Sequence, residues 1–332
     1  MDLLERQRWI DFQFRPDFLK RGDALQGLMV LGPDGKAAIP DVANLLGLGG
    51  EGQMAAYTLF KIGSNSVPAL KDALTNRNER ARSHAAGMLG GLHDSGSVSN
   101  LLIALKDPDV HTRIMAAQAL RRFPEQANVI VPALIDSLDD PDDVFRGNVA
   151  RVLTKFGAEA KPAIPKLQKM VESADSHEST TAAKALMELD FEGTLAAFTN
   201  NLESADVNVR RTSAWALMLF KAEGRPAIPF LVKCLKDPDT KVRENAAVAL
   251  REIGEEPDLV VPALMENLTD PDLELRSITA IALSSFGERA KPAVPAILKL
   301  IEENKDNELT VQGLYNALVN IDPDAAAKLA GK

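Results

Sequence analysis

The feature that most constrains this chain is a sequence pattern that returns every 30 to 35 residues. Each copy has a marker position, followed seven residues later by leucine and ten residues later by a large apolar residue. A fixed period of this size is typical of stacked repeats, because each unit needs its neighbours to cover its apolar surface. The marker, arginine in most copies, lies at positions 21, 52, 82, 113, 146, 179, 210, 243, 276 and 311.

Each copy reads as a helical hairpin. Within residues 224–256, Ile228 and Leu231 recur at helical spacing before an Asp-Pro-Asp turn, and Ala246 and Leu250 do so after it. Alanine and leucine fill most apolar positions and aromatic residues make up only 5% of the chain, which suits close packing of helices. The pattern predicts an all-α protein, a right-handed α-solenoid of about ten hairpins that forms one array over residues 1–332.

The turn between the two helices of a hairpin has a capping signal. Aspartate followed by proline is a common helix start, so we expect the first aspartate to cap the second helix and the proline to occupy its first turn. Asn76, Ser173 and Ser204 stand at the equivalent position in other copies. The Asp-Pro-Asp turns begin at Asp107, Asp140, Asp237 and Asp270.

The pattern P-x-L-x-x-x-L-x-D-P-D-x-x-V-R-x-x-A-A-x-A-L-x-x-I-G resembles the HEAT-like repeats of bacterial α-solenoids, including the short repeats of bilin lyases. The resemblance covers residues 20–322. It implies a binding scaffold, with turn aspartates paired to arginines between neighbouring repeats. The eight residues to which it assigns this structural role are Asp107, Arg113, Asp140, Arg146, Asp237, Arg243, Asp270 and Arg276.

Both ends of the array depart from the repeat. Residues 1–20 carry Trp9, Phe12, Phe14 and Phe18, an aromatic density that we expect to cover the first repeat. Residues 323–332 are polar enough to form a C-terminal cap or tail.

Composition and the N-terminal sequence limit the classes of partner and the cellular compartment that we expect. The formal net charge is -9, which disfavours non-specific nucleic-acid binding. The single cysteine, Cys234, lies among apolar residues of a first helix and is expected to be a buried, inert thiol. The N-terminus lacks the apolar core of a signal peptide, and no apolar run is long enough to span a membrane. We therefore predict a cytoplasmic protein.

Motifs that carry chemistry are weak in this sequence. Residues 47–52 satisfy G-x-G-x-x-G, but a helical pattern precedes them where a dinucleotide site requires a strand. His177 and Glu178 begin a metal motif whose second histidine is replaced by Thr181. Neither a nucleophile elbow nor a P-loop is present. The sequence predicts a protein that is not an enzyme and has no metal or cofactor.

Offsets 3, 4, 6, 7 and 10 from the marker are nearly always apolar and form a stripe along the second helix that we expect to be packed. The candidate binding residues lie outside this stripe. Offsets 1, 5, 8 and 9 from the marker lie opposite the stripe on the second helix, and in solenoids of this type second helices line the concave face. Basic residues cluster there in three consecutive copies, with an aromatic residue in the next. The predicted partner-binding residues are Tyr57, Gln118, Arg121, Arg122, Arg151, Lys155, Lys184, Arg211, Trp215 and Met218.

Three functions fit this surface. We expect a scaffold whose concave face binds a protein or peptide, with an acidic segment matched to the basic cluster. The alternative is a lyase or chaperone for a small anionic cofactor, as the resemblance to bilin lyases suggests. Nucleic-acid binding, with Trp215 stacking on a base, is the third.

Overall fold

The structure is a computed structural model that describes residues 18–172 and 176–330, and these ranges contain helices and no strand. Helices with odd numbers are the second arms of the hairpins, helices with even numbers up to α18 are the first arms, and α20 follows the last hairpin. In chain order the helices are α1 Phe18–Leu31, α2 Ile39–Asn44, α3 Gly49–Ile62, α4 Val67–Ala73, α5 Glu79–Leu92, α6 Val98–Ala104, α7 Val110–Leu120, α8 Ala127–Ser137, α9 Asp143–Leu153, α10 Ile164–Val171, α11 Ser176–Leu189, α12 Phe191–Asn201, α13 Val207–Leu217, α14 Ile228–Cys234, α15 Thr240–Ile253, α16 Pro257–Asn267, α17 Leu273–Leu283, α18 Val294–Glu303, α19 Glu308–Ile321 and α20 Pro323–Ala330.

Turns of 3-10 helix precede several first helices. Proline and glycine are frequent in them, because these residues end one helix and begin the next. They span Gly32–Ala38, Gly63–Ser66, Ser95–Ser97, Pro124–Gln126, Thr154–Ala163, Met218–Ala227 and Ser284–Ala293.

Packing divides the chain into two compact units. The first comprises Met1–Met170 with Asp175–Leu189, and the second comprises Val171–Ala174 with Asp190–Lys332. The single array over residues 1–332 stays a prediction. The aromatic segment predicted to cap the first repeat lies outside the described residues, apart from the start of α1 at Phe18. Helix α20 occupies most of the predicted C-terminal cap.

The second helices form a continuous stack in the first unit. Helices α1, α3, α5, α7 and α9 each pack against the next odd-numbered helix, so the stack runs from α1 to α11. The stripe at offsets 3, 4, 6, 7 and 10 is buried, as α7 and the residues after it illustrate with Ala116, Ala117, Ala119, Leu120 and Phe123. Small alanines let neighbouring helices approach closely, and the larger leucine and phenylalanine fill the space between the hairpin arms.

The second unit repeats this construction. Helices α13, α15, α17 and α19 stack in order, and on α15 the stripe residues Ala246, Ala247, Ala249, Leu250 and Ile253 are buried. The predicted all-α solenoid fold is confirmed. Cys234 is buried at the end of α14, and burial raises the pKa of its thiol to about 11. The neutral thiol is the inert form, as expected for this position.

The capping prediction is wrong by two residues. The second aspartate of each Asp-Pro-Asp turn is the N-cap, so that Asp109 accepts from the Thr112 amide at 2.7 Å and Asp142 accepts from the Phe145 amide at 2.7 Å. The first aspartate instead accepts from the amide two residues later, as Asp107 does from Asp109 at 2.9 Å. Proline therefore lies in the turn and not in the helix. The cap is Asn78 and not Asn76, and Asp206 and not Ser204, whereas Ser173 lies outside the described residues.

The first aspartate of the turn does not act as the N-cap, because its carboxylate binds the arginine of the preceding repeat. Arg82 donates to both carboxylate oxygens of Asp107, at 2.7 and 2.8 Å. Arg113 donates to the carboxylate of Asp140 at 3.0 Å and also to the main-chain oxygen of Asp107, in its own turn, at 2.9 Å. Each such arginine therefore ties its own turn to the next one.

The same arrangement recurs along both units, and we call it the arginine ladder. Arg210 binds Asp237 and Arg243 binds Asp270, at 2.7 and 3.1 Å. Where the next repeat lacks a turn aspartate, glutamate replaces it: Arg146 contacts Glu178 at 2.5 Å, and Arg276 lies 3.6 Å from Glu303. Glu178 of the incomplete metal motif is thus engaged by Arg146.

Two further observations concern the sequence motifs. The G-x-G-x-x-G segment leads from α2 into α3, which begins at Gly49, so the element before it is a helix and not a strand. Among the described residues, none of the helices combines the length and the apolar character needed to cross a bilayer.

Candidate functional site

The predicted binding residues of the first unit lie on odd-numbered helices or directly after them, on the side opposite the buried stripe. Tyr57 is 46% exposed, and Arg121, Arg122, Arg151 and Lys184 are exposed as well. We call the surface formed by these sides of α3, α5, α7, α9 and α11 the second-helix face.

A cleft of about 240 Å³ opens on this face between α3, α5 and α7. Phe60, Met88 and Met115 supply its apolar walls, and all three are half-buried. Its polar lining comes from four residues of the predicted set, which the structure brings together from α3, α7 and the turn that follows α7. These are Tyr57, Gln118, Arg121 and Arg122. We call this site the α5 cleft.

An aromatic pair forms one wall of the cleft. The rings of Tyr57 and Phe60 stack with centroids 6.0 Å apart and planes 25° apart. The ammonium of Lys61 lies over the Tyr57 ring, 5.1 Å from its centroid. This cation–π contact holds the Tyr57 ring in place on α3, and Lys61 adds a positive charge next to the cleft.

Glycines on α5 create the space. A Cβ atom at Gly90 would lie 2.6 Å from the Cα and Cβ atoms of Ala119, so only glycine lets α7 approach this closely. A Cβ atom at Gly87 would meet only the Cε atom of Met115, at 2.6 Å, which is the end of a flexible side chain. Gly90 is thus required by helix packing, whereas Gly87 leaves the cleft open.

Arg121 and Arg122 stand at the mouth of the cleft, directly after α7. Among the residues that the structure describes, no carboxylate lies within ion-pair distance of either guanidinium. Adjacent like charges without a counter-charge cost free energy, which an anionic ligand would relieve.

A polar chain connects the cleft to α9. Asn148 accepts with its Oδ1 atom from Gln118 at 3.2 Å and from Arg151 at 2.5 Å, and it donates to the main-chain oxygen of Val144. Arg151 is therefore positioned beside the cleft by a neutral partner, and its charge is not cancelled.

The remaining basic residues of the first unit differ in their surroundings. Lys155 lies 3.8 Å from Glu188, and both side chains are more than half exposed, so this pair is weak. Lys184 is exposed on α11, and no carboxylate of the described residues lies within ion-pair distance. The positive charge of the second-helix face without a carboxylate partner in the described residues thus comes from Arg121, Arg122, Arg151 and Lys184, in addition to Lys61 over the Tyr57 ring.

The predicted residues of the second unit form a different environment. Arg211 donates to both carboxylate oxygens of Asp239, and these hydrogen bonds lower the pKa of Asp239 to about 2. The positive charge of Arg211 is therefore neutralised by Asp239. Trp215 on α13 and Met218, directly after α13, are half-buried.

Sequence reasoning missed several residues of the site. Phe60 stands at offset 8 and Gly91 at offset 9, which are predicted binding positions, but neither residue is in the predicted set. Met88, Met115 and Asn148 stand at offsets 6 and 2, which a single-helix projection assigns to packing or to neighbouring faces. The run of three glycines, Gly87, Gly90 and Gly91, was the available signal, because one helix rarely carries so many without a packing reason.

A family model described as HEAT repeats matches residues 67–131, 131–218 and 195–284. No curated protein sequence matches the chain.

Solved structures of karyopherins have a similar fold. They include Kap121p bound to the extreme C-terminus of the protein phosphatase Cdc14p (TM-score 0.63) and Kap121p bound to Nup53p (TM-score 0.62), each with 14% identity over all of this chain and 43% of the karyopherin. Kap95p, whose binding induces the switch loops of RanGDP to adopt the GTP-bound conformation, matches with a TM-score of 0.60 and 12% identity over 98% of this chain. The chain spans 53% of Kap95p, and at these identities the likeness concerns the fold.

Proposed function

The chain belongs to the HEAT-repeat family, and from that premise we propose that it is a non-catalytic scaffold that binds an acidic segment of a protein or peptide. The proposed binding surface is the second-helix face of the first unit, which the sequence predicts to be concave. The observation that carries the proposal is the pair Arg121 and Arg122, exposed without a carboxylate partner in the described residues, at the mouth of an apolar cleft.

Charge distribution supports an acidic partner. The chain has a formal net charge of -9, so an anionic ligand is repelled by most of the molecule. Arg151 and Lys184 extend the positive surface from the cleft along α9 and α11. A partner with spaced carboxylates can pair with these cations while it gains little from the rest of the surface, which favours one binding register.

Apolar area beside the charges supports a protein partner over an inorganic anion. Aromatic residues, methionine and arginine are enriched at protein interfaces, and the α5 cleft contains all three. The karyopherin relatives bind protein segments, according to the complexes in which they were solved. The apolar contribution that the sequence assigned to Trp215 comes, in this proposal, from Tyr57 and Phe60, and a role for Trp215 stays a prediction.

The test measures binding of fluorescein-labelled peptides by fluorescence anisotropy, with one aspartate-rich peptide and one in which asparagine replaces every aspartate. We expect binding of the acidic peptide to weaken steeply between about 0.1 and about 1 M salt, since the Debye length falls from about 10 to about 3 Å. The neutral peptide should bind much more weakly at low salt.

Charge reversal locates the site. Arg151→Glu with Lys184→Glu, and separately Arg121→Glu with Arg122→Glu, should each weaken binding of the acidic peptide by about tenfold or more. The matched control is Lys106→Glu with Lys169→Glu, which makes the same charge change at exposed lysines outside the second-helix face. If the control weakens binding as much as the two test variants, attraction is non-specific and the proposed surface is wrong.

A further inference from the structure

The α5 cleft is too small for a typical small-molecule site and suits one side chain. Its volume is about 240 Å³, below the range of about 300–1,000 Å³ that small-molecule pockets occupy. Its walls are built from one phenylalanine ring and two thioethers, from Phe60, Met88 and Met115. Methionine adapts to irregular shapes and makes favourable contacts between its sulfur and aromatic rings, so these walls fit a flat aromatic group.

The opening at Gly87 is particular to this repeat. The same offset carries Val248 on α15 and Ile281 on α17, so the fold accepts a branched side chain there. At Gly87 the one atom in the way of a Cβ atom is the Cε atom of Met115, which can rotate aside. Helix packing therefore does not demand glycine at this position, in contrast to Gly90. The absence of a side chain is explained if something else occupies the space.

We infer that the α5 cleft holds one aromatic side chain of the acidic segment, with carboxylates next to that side chain paired to Arg121 and Arg122. This inference rests on the proposed function and adds the chemistry of the recognised motif, an aromatic residue flanked by acidic ones. The ring would stack beside the Tyr57 and Phe60 pair, where offset-stacked or edge-to-face arrangements are favourable. The guanidiniums at the mouth would fix the main chain on either side of the ring.

The experiment compares three fluorescein-labelled peptides by anisotropy on the full chain. The first has a central phenylalanine among aspartates, the second has alanine in place of phenylalanine, and the third keeps phenylalanine but has asparagine in place of every aspartate. We expect the first peptide to bind about tenfold or more tightly than the second, because burial of a ring in the cleft adds apolar contact. The third peptide should bind more weakly than the first.

The decisive variant is Gly87→Val, which gives α5 the side chain that α15 has at this offset. It should reduce binding of the phenylalanine peptide to the level of the alanine peptide and leave binding of the alanine peptide unchanged. Gly22→Val is the matched control, since a Cβ atom at Gly22 has no neighbour within 4 Å. Met115→Gln is a second cleft variant, in which a polar amide replaces the thioether, and it should selectively weaken the phenylalanine peptide even if Gly87→Val fails to fold.

The outcomes separate the inference from the proposed function. If the phenylalanine and alanine peptides bind equally, or if both cleft variants leave the difference between them intact, the aromatic anchor is refuted and acidic binding can still hold. If Arg121→Glu with Arg122→Glu changes the binding of neither acidic peptide, the proposed function fails for this site. A selective loss in the cleft variants together with a general loss in the arginine variant supports both.

Discussion

The α5–α7 pair of the first unit and the α13–α15 pair of the second unit use the same repeat positions to present different surfaces. At offsets 5, 8 and 9, α5 has Gly87, Gly90 and Gly91, whereas the equivalent positions in the second unit are Trp215, Met218 and Leu219. Large side chains occupy in the second unit the positions that are empty in the first. Helices α5 and α7 also pack more extensively than α13 and α15 do.

Charge differs between the two pairs at equivalent positions as well. Offsets 8 and 9 are Arg121 and Arg122 after α7, but Arg251 and Glu252 on α15, where Arg251 donates to the Glu252 carboxylate at 2.6 Å. The buried stripe therefore determines the fold of both pairs. The residues at offsets 5, 8 and 9 determine whether a pair has a charged cleft or a filled surface with paired charges.

The largest effect is expected where the two pairs differ in packing. Gly90→Met gives α5 the residue found at position 218 and should lower the free energy of unfolding by about 2 kcal/mol, since a side chain there overlaps the Ala119 main chain. Chemical denaturation monitored by circular dichroism measures this. A loss of stability no larger than that of Gly22→Met would mean that α7 can move away and that glycine is not required by packing.

The arginine ladder is what the two regions share, so its removal should affect them equally. Arg82 and Arg210 each lie 2.7 Å from a shielded turn aspartate, Asp107 or Asp237. Arg82→Ala and Arg210→Ala should each cost about 1–3 kcal/mol in unfolding free energy, because a charged acceptor loses its donor. Arg276→Ala is the comparison, since Glu303 is 3.6 Å away and more exposed, and we expect at most about 1 kcal/mol there.

Exchanging charges between the two units tests whether the arginine pair or the α5 cleft contributes more to binding of the acidic peptide. Arg122→Glu places in the first unit the arginine and glutamate found at Arg251 and Glu252, and it should weaken binding of the acidic peptide by about tenfold. Glu252→Arg creates two adjacent arginines in the second unit without a cleft. If Glu252→Arg strengthens binding as much as Arg122→Glu weakens it, charge alone explains recognition and the α5 cleft contributes nothing.

The smallest effect concerns the turn that follows α9 and α13. Gly157 of the first unit has φ 53° and ψ -123°, and the equivalent residue of the second unit is Lys221, with φ 50° and ψ -138°. A side chain is strained in this conformation, so Lys221→Gly should raise the free energy of unfolding by about 0.5–1 kcal/mol, the gain being reduced by the greater entropy of glycine in the unfolded chain. Gly157→Lys should have the opposite sign in the same denaturation assay. Equal stability of all three proteins would contradict the strain.

The fold was predictable because its determinants are local and repeated. The spacing of leucine and alanine in each copy predicts one apolar stripe on the second helix. All ten copies predict the same stripe, so a wrong assignment in one copy does not change the predicted fold. The cap was mispredicted for a tertiary reason. Both aspartates of Asp-Pro-Asp have capping chemistry, and the first is withdrawn from that role by an arginine about 25 residues earlier in the chain, as in Arg82 and Asp107.

The sequence by itself determined the all-α solenoid, the buried stripe of the second helices, the burial of Cys234 and the exposure of Tyr57, Arg121, Arg122, Arg151 and Lys184. The tertiary structure decided which of those exposed residues meet and which keep their charge. It groups Tyr57, Gln118, Arg121 and Arg122 around one cleft, whereas it ties Arg211 to Asp239. The physical reason is that helical periodicity specifies direction around one axis, but the space between three helices and the cancellation of a charge depend on side chains that neighbouring repeats supply.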